Sequence, residues 1–430
     1  MSAAYFTCND RYVIGLNYLT NFMDNNRAST ATTQLKLTDI AEEVAKLMRA
    51  NSRQYGKNLY TMPSPETYPY QWLWDSCFHA IIYSHFDPNR GKEEILSLLS
   101  KQFHNGMLPH LIYWRRGPVI DIDWGQGRRT SNITQPPMIA YAVWRLFQKD
   151  QDVEFLKSIY PNLFHYYKYL LNERDPHQRN LLGIINPDES GEDNSPRFDT
   201  LLGLPPIHQF EENLRKRADL VQENIKCKFD APFCMKNFFW VKDVPFNAIM
   251  VENLQCLSYI AQKIDREYDA AYFDRSREEI VKAMRELMCE DGLFWSTHGG
   301  NYQRIKVKTW AIFAPLFARI LEKAEAEKLV NKHLLNEKEF WDAYPLSTVS
   351  KDEASFSPAE MWRGPAWISV NWLVYKGLVN YGFNDAAEKI KQSSLALIKK
   401  SGFREYYNPK TGEGLGANHF TWGGLVLDMD

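Results

Sequence analysis

Apolar residues along this chain recur mostly at the 3.6-residue spacing of helices, and they do so in two textures. Stretches such as WLWDSCFHAIIYSHF (72–86) and FNAIMVENLQCLSYIAQKI (246–264) are apolar almost all round, the pattern of helices buried on every side. Stretches such as DRSREEIVKAMRELMC (274–289) and NDAAEKIKQSSLALIKK (384–400) instead carry one apolar stripe and one charged face. The pattern predicts helices over about 38–53, 71–84, 91–103, 136–149, 152–172, 246–264, 266–289, 307–320, 322–334, 365–381, 385–400 and 419–428. Thr38 is placed to cap the first, and Asp385 with Glu388 makes a capping-box-like pair before the eleventh. Buried helices alternating with amphipathic ones predict an all-α fold, a closed ring of helical hairpins with an inner barrel wrapped by an outer one. A stacked solenoid is the alternative, and the absence of a repeat of fixed period counts against it.

Two connections, 104–134 and 186–243, are far longer than ordinary helix–helix loops, and loops of that length are usually functional. Both are rich in aromatics, and the second holds a charged helical stretch, EENLRKRADLVQENI (211–225). They read as covers gathered over one end of the barrel, which makes residues 1–430 a single catalytic domain. A chain of 430 residues with 44% hydrophobic content is ample for a large core. The net charge of -2 gives no reason to expect nucleic acid or an anionic membrane surface as a partner. No apolar run reaches the roughly 18 residues of a membrane span, and MSAAYFTCND lacks the features of a signal peptide. The six cysteines (Cys8, Cys77, Cys227, Cys234, Cys256, Cys289) are scattered without a CxxC pair and read as buried thiols in a reducing compartment. A soluble cytoplasmic protein is the expectation, and the sequon at Asn132 then carries little meaning. Oligomeric state is not legible.

The most unusual stretch is NPDESGEDNSPRFD, residues 186–199, where carboxylates crowd among Pro187, Gly191 and Pro196. Proline and glycine at those places exclude a strand or helix interior. Three readings fit: a metal loop, a decorated surface, or a proton donor. The calcium-loop pattern is not matched, and no HExxH motif or histidine cluster points to a transition metal, so neither metal nor cofactor is expected. A proton-handling site for glycoside cleavage needs a second carboxylate opposite the first. Near the C-terminus, FREYYNPKTGEGLGANHFTWGG (403–424) offers Glu413 between Gly412 and Gly414, where a substrate can approach the backbone closely. Taken alone, Glu413 reads more often as a solvated turn residue than as a catalytic one.

Six stretches, in this order along the chain, carry a specific resemblance: YPYQWLWDSCFHA (68–80), HNGMLPH (104–110), SNITQPP (131–137), ESGEDNSPRFD (189–199), WRGPAW (362–367) and YYNPKTGEGLGANHFTW (406–422). Together they resemble glycoside hydrolase family 63 and its relatives, inverting α-glycosidases on an (α/α)6 barrel. The resemblance implies Asp193 as general acid and Glu413 as general base. It also implicates Tyr68, Trp72, Trp74, Asp75, Gln135, Trp362, Gly364 and Trp367 in holding the sugar. An acid must keep its proton near neutral pH, and Asp188, Glu189 and Glu192 have the charge to favour that in Asp193. Trp72 and Trp74 suit sugar stacking, though both lead into an apolar helix and fit a core role as well. Asp75, a carboxylate inside that run, has to be paired or solvated. Arg363 either holds one of the reacting carboxylates or buttresses a helix start, and Trp422 is placed to pack beneath the site. His79, His104, His110 and His419 lie in or near motifs and read as structural.

The chain has no room for the β-domain that many family members carry before the barrel, which points to a small substrate. Compact relatives of this kind hydrolyse mannosylglycerate and glucosylglycerate. Such a substrate carries a carboxylate, and a cation is wanted for it. The candidates are Arg115, Arg116, Arg128 and Arg129 in the first long loop and Arg215, Lys216 and Arg217 in the second, each of which also reads as a solvated loop charge. The partner expected is therefore a small-molecule carbohydrate. Two other readings remain open: a sugar epimerase working through facing histidines, and a non-catalytic glycan-binding barrel. Phosphorolysis in place of hydrolysis would announce itself as a phosphate requirement.

Overall fold

The computed structural model describes residues 27–115 and 129–430, with side chains from Asp39 onward. The chain divides into two units, Met1–Lys46 and Leu47–Asp430, and the description below concerns the second. Its helices are α1 (Arg27–Asn51, whose last turn belongs to this unit), α2 (Leu73–Tyr83), α3 (Pro88–Leu99), α4 (Ile139–Asp150) and α5 (Val153–Glu173). Next come α6 (Phe210–Lys226), α7 (Ala231–Asn237), α8 (Val244–Lys263), α9 (Glu267–Ala283), α10 (Ala314–Phe317), α11 (Lys323–Leu329), α12 (Ile368–Tyr381) and α13 (Asn384–Ser401). A 3-10 segment, Thr421–Asp428, ends the fold.

Packing closes a ring. α2 lies against α4, α4 against α8, α8 against α10, α10 against α12, α12 against Thr421–Asp428, and that segment against α2 again. Outside it, α3 covers α2, α5 covers α4, α9 covers α8 and α13 covers α12. This is the (α/α)6 barrel, and the two sequence textures explain it. Every residue of α2 from Leu73 to Tyr83 is buried, whereas α13 buries one stripe including Ala387, Ile390, Leu397 and Ile398. Several polar groups on the inner helices are tied up internally, as burial favours. The Asn253 side-chain oxygen accepts from Tyr141 N at 2.8 Å and Tyr167 Oη at 3.0 Å. His79 meets Thr421 Oγ1 at 2.7 Å, so it is a core residue.

Some boundaries differ from expectation. α1 begins at Arg27, so Thr38 falls inside the helix rather than at its cap. α13 starts at Asn384 with no side-chain cap, and Asp385 sits in the first turn, where its charge still suits the helix N-terminus. The cysteine reading also needs correction: Cys227 and Cys234, at the end of α6 and within α7, are joined in a disulfide. Cys77 and Cys256 are buried free thiols and Cys289 is a part-buried one; Cys8 lies outside the described residues. No described helix is long and apolar enough to cross a membrane.

Two short hairpins position the site. Gln71–Trp72 pairs with Leu111–Ile112 ahead of α2. Arg404–Tyr407 pairs with Gly414–Asn418, with an irregularity between Leu415 and Asn418. Along Arg404–Tyr407 burial alternates, so Glu405 and Tyr407 face inward.

Candidate active site

A cavity of ≈ 180 Å³ opens at one end of the barrel, lined by residues from α2, the acidic loop, α6, the 361–367 loop and the C-terminal hairpin. Its aromatic wall is tightly packed. Trp362 and Trp367 stack with centroids 3.8 Å apart and planes 4° from parallel, and Trp74 meets Trp422 edge-on at 5.1 Å. Such flat faces suit the C–H face of a sugar ring. The acidic loop comes close enough to Trp74 that only glycine fits at 191: its φ is +73°, and a Cβ there would lie 2.4 Å from Trp74 Cζ2.

The acidic loop is not a surface decoration. Most of its carboxylates are matched to buried arginines. Glu189 binds Arg174 at 2.6 Å and also accepts from Thr134 N and Ile185 N. Glu192 binds Arg197 at 2.8 Å and accepts from Trp310 Nε1. Asp199 takes both ends of Arg363, at 3.0 and 2.8 Å. These pairs fold the loop onto the barrel and leave two of its carboxylates at the cavity, Asp188 and Asp193. Both meet Arg217 of α6, each at 2.6 Å from Nη1. Among the described residues no three His, Cys, Asp or Glu side chains come together as a metal site would need.

Two further carboxylates line the cavity. Asp75 is buried and accepts from Trp422 Nε1 at 2.7 Å. Burial pushes its carboxyl up to about 7 against the pull of that hydrogen bond. Glu405 is buried as well, accepting from Tyr68 Oη at 2.8 Å and from Ala417 N at 2.8 Å. Burial raises Glu405 to about 7, and the charge of Asp193 adds to the effect. Burial and then the neighbouring Glu405 hold Tyr68 well above the usual phenol range, so its hydroxyl stays a donor. Asp188 is pushed to about 7 by burial, opposed by Arg217 and assisted by Asp193.

Of the residues singled out in the sequence, Tyr68, Trp72, Trp74, Asp75, Gln135, Asp193, Trp362 and Trp367 all line the cavity. Gln135 also accepts from the Trp74 amide at 3.3 Å. Glu413 does not: it is exposed in the turn before Gly414, with its amide bonded to Thr411 Oγ1. The two glycines read as an approach for substrate instead serve that turn. The carboxylate this hairpin does send into the cavity is Glu405, eight positions earlier in the same motif. A strand alternation in FREYY, with an acidic residue on the inward face, was the available signal. Arg363 buttresses Asp199 rather than touching Asp193 or Glu405. Gly364 stands behind the wall, where a Cβ would meet Ser357 O at 2.5 Å. Glu189 and Glu192 are each paired with a buried arginine of their own.

Among the candidate cations that are described, only Arg217 lines the cavity. Arg215 is exposed, and Arg115 and Arg129 bond Gln54 O and Tyr55 Oη at the surface; Arg116 and Arg128 lie outside the described residues. His110 lines the cavity bonded to Ser131 Oγ, and burial lowers it to about 3, so it is neutral. His104 and His419 are exposed. His110 is the one histidine among the described residues that line the cavity, against the epimerase reading, which needs a facing pair.

Comparison with known proteins gives the family. A mannosylglycerate hydrolase of Thermus thermophilus is 34% identical over 88% of this chain and 97% of its own length. Glucosylglycerate hydrolase of Mycolicibacterium hassiacum is 28% identical over 91% of this chain and 97% of its own. The crystal structure of a family 63 mannosylglycerate hydrolase from a second strain of Thermus thermophilus, in complex with Tris and D-glycerate, superposes with a TM-score of 0.82. It is 32% identical and covers 90% of this chain and 98% of that one. Residues 68–423 match the mannosylglycerate hydrolase MGH1-like glycoside hydrolase domain, and the chain belongs to that family of glycoside hydrolases.

Proposed function

We propose that this enzyme hydrolyses an α-glycoside of glycerate with inversion, using Asp193 as general acid and Glu405 as general base. The observation that carries the reading is Arg217, a buried guanidinium in the cavity beside Asp193. In a glycerate glycoside the glycosidic oxygen sits on the carbon next to the carboxylate. The cation that holds the carboxylate and the acid that protonates the oxygen therefore have to be neighbours, and Arg217 and Asp193 are. On this reading the aglycone lies at α6 and the sugar ring against Trp74, Trp362 and Trp422, with Asp75 offering oxygens to its hydroxyls. Trp72 Nε1, a buried donor without a partner among the described residues, is available to the ligand as well.

Glu405 suits the base. A carboxyl near 7 is a stronger base than an exposed one and is still ionised for a good fraction of the enzyme at neutral pH. Tyr68 and the Ala417 amide fix its two oxygens, so a water between it and the anomeric carbon meets an oriented acceptor. The proton from that water goes to Glu405, the proton on Asp193 goes to the leaving oxygen, and both exchange with solvent afterwards. Inversion requires the two carboxyl groups to stand about 6.5–9.5 Å apart.

Proton NMR of time courses with mannosyl- and glucosylglycerate, with trehalose as control, tests this. A β-anomer released first from a glycerate glycoside is the expected result. An α-anomer, or turnover of trehalose alone, would overturn it.

A further inference from the structure

Asp188 lines the cavity yet spends only one of its two carboxylate oxygens on the protein. Its Oδ1 accepts from Arg217 Nη1 at 2.6 Å, and its backbone amide donates to Asn186 Oδ1 at 3.1 Å, which fixes the residue at the cavity edge. Its Oδ2 is buried and has no hydrogen-bond partner among the described residues. The loop's other buried carboxylates differ. Glu189 has Thr134 N on one oxygen and Arg174 on the other. Glu192 and Asp199 each take two nitrogens of an arginine, one per oxygen.

A buried carboxylate oxygen without a donor is costly, and one that stands in a ligand cavity points to a donor that the ligand brings. Arg217 does not require Asp188 as its only counter-charge. Asp193 Oδ2 lies 2.6 Å from the same Nη1, and Arg217 Nε donates to Asn213 Oδ1 at 2.9 Å. The second carboxylate on this guanidinium therefore has a use beyond pairing it. In a glycerate glycoside the C2 oxygen is in the glycosidic bond, and the aglycone keeps two polar groups, the carboxylate and the C3 hydroxyl. The carboxylate offers acceptors alone and suits Arg217, and the hydroxyl is the aglycone's one donor. Both groups hang from C2. With the carboxylate on Arg217, the hydroxymethyl is within reach of a carboxylate held on that same guanidinium.

Resting on the glycerate-glycoside reading above, we propose that Asp188 is a specificity-determining residue whose unpartnered oxygen accepts a hydrogen bond from the hydroxymethyl of the aglycone. Arg217 and Asp188 then read the two polar groups of glycerate as a pair, cation to anion and acceptor to donor. Lactate, in which a methyl replaces the hydroxymethyl, keeps the first contact and leaves the buried oxygen bare. Sites built to hydrogen-bond a substrate hydroxyl reject an analogue that lacks it for this reason.

The test compares kcat/KM for a glycerate glycoside and the matching lactate glycoside, in the wild type and in Asp188→Ala. Expected is a wild-type preference for the glycerate glycoside of about 10–10²-fold, the worth of a hydrogen bond to a charged group, and loss of most of that preference in Asp188→Ala. Both substrates carry the carboxylate, so a variant that merely loosens Arg217 lowers both alike and keeps their ratio. An unchanged ratio would overturn the inference and leave the substrate assignment standing, as would equal turnover of the two glycosides by the wild type. Arg217 keeps Asp193 and Asn213 in the variant, so no buried charge is stranded; Asp188→Val gives the same comparison should the alanine variant not fold. If neither acidic glycoside is hydrolysed, the reading underneath fails and takes this inference with it.

Discussion

Glu405→Gln separates the activity of this site from the stability of its fold, because the two respond in opposite directions. The amide cannot accept the proton of the attacking water, and loss of a general base costs about 10²–10⁴ in kcat. The fold should not suffer. Oε1 of the amide can keep the Ala417 amide bond, and its NH2 can donate to Tyr68 Oη, which turns from donor to acceptor. There is even a gain to be expected. Burial raises the Glu405 carboxyl from 4.5 to about 7, so the folded state binds more protons than the unfolded one between those values. Stability is therefore lost as pH rises through that window, and the full cost is present above 7. A rise of that size corresponds to about 3 kcal/mol, as an upper bound. The variant should accordingly unfold at the same or a higher temperature than wild type at pH 8, with the difference fading at pH 4. In the wild type, kcat/KM should fall about tenfold per pH unit below about 7 as the base is protonated. Steady-state kinetics across pH with thermal unfolding at pH 4 and pH 8 measures all of this. Near-normal kcat in Glu405→Gln, or a loss of similar size in the exposed control Glu413→Gln, would refute the assignment of the base.

Gly191→Ala should displace Trp74, since its Cβ would sit 2.4 Å from that ring in a left-handed backbone; a shift of about 1 Å in the site would cost on the order of 10² in kcat/KM, with secondary structure by circular dichroism unchanged. Arg174→Met strands Glu189, which is fully buried, and urea denaturation should report a loss of about 3–5 kcal/mol. Replacing Cys227 and Cys234 together by serine opens the small loop between α6 and α7; chemical denaturation should show about 2 kcal/mol less stability on the chain-entropy account. Unchanged stability under reducing and oxidising conditions alike would mean that the bond does not form.

Much of the fold was legible in the residues. All-round apolar stretches alternating with one-striped ones dictated buried and covering helices, because backbone periodicity and side-chain polarity are local properties. The candidate site was legible in part: the motifs named most of the cavity wall, and the spacing of proline and glycine marked 186–199 as a loop. Register was harder. Glu405 and Glu413 stand in one motif, and only the pairing of Arg404–Tyr407 with Gly414–Asn418 decides which faces inward, since a strand shifted by one residue exchanges its faces. Partner choice was not legible either. That Arg174, Arg197, Arg217 and Arg363 divide the loop's carboxylates among them depends on contacts between residues up to 164 positions apart. A charge in a sequence has no address until the chain closes around it. The sequence by itself determined that carboxylates and aromatics would meet at one end of a helical barrel. Tertiary structure decided which carboxylates were neutralised, which were left at the cavity, and that one arginine stands between two of them.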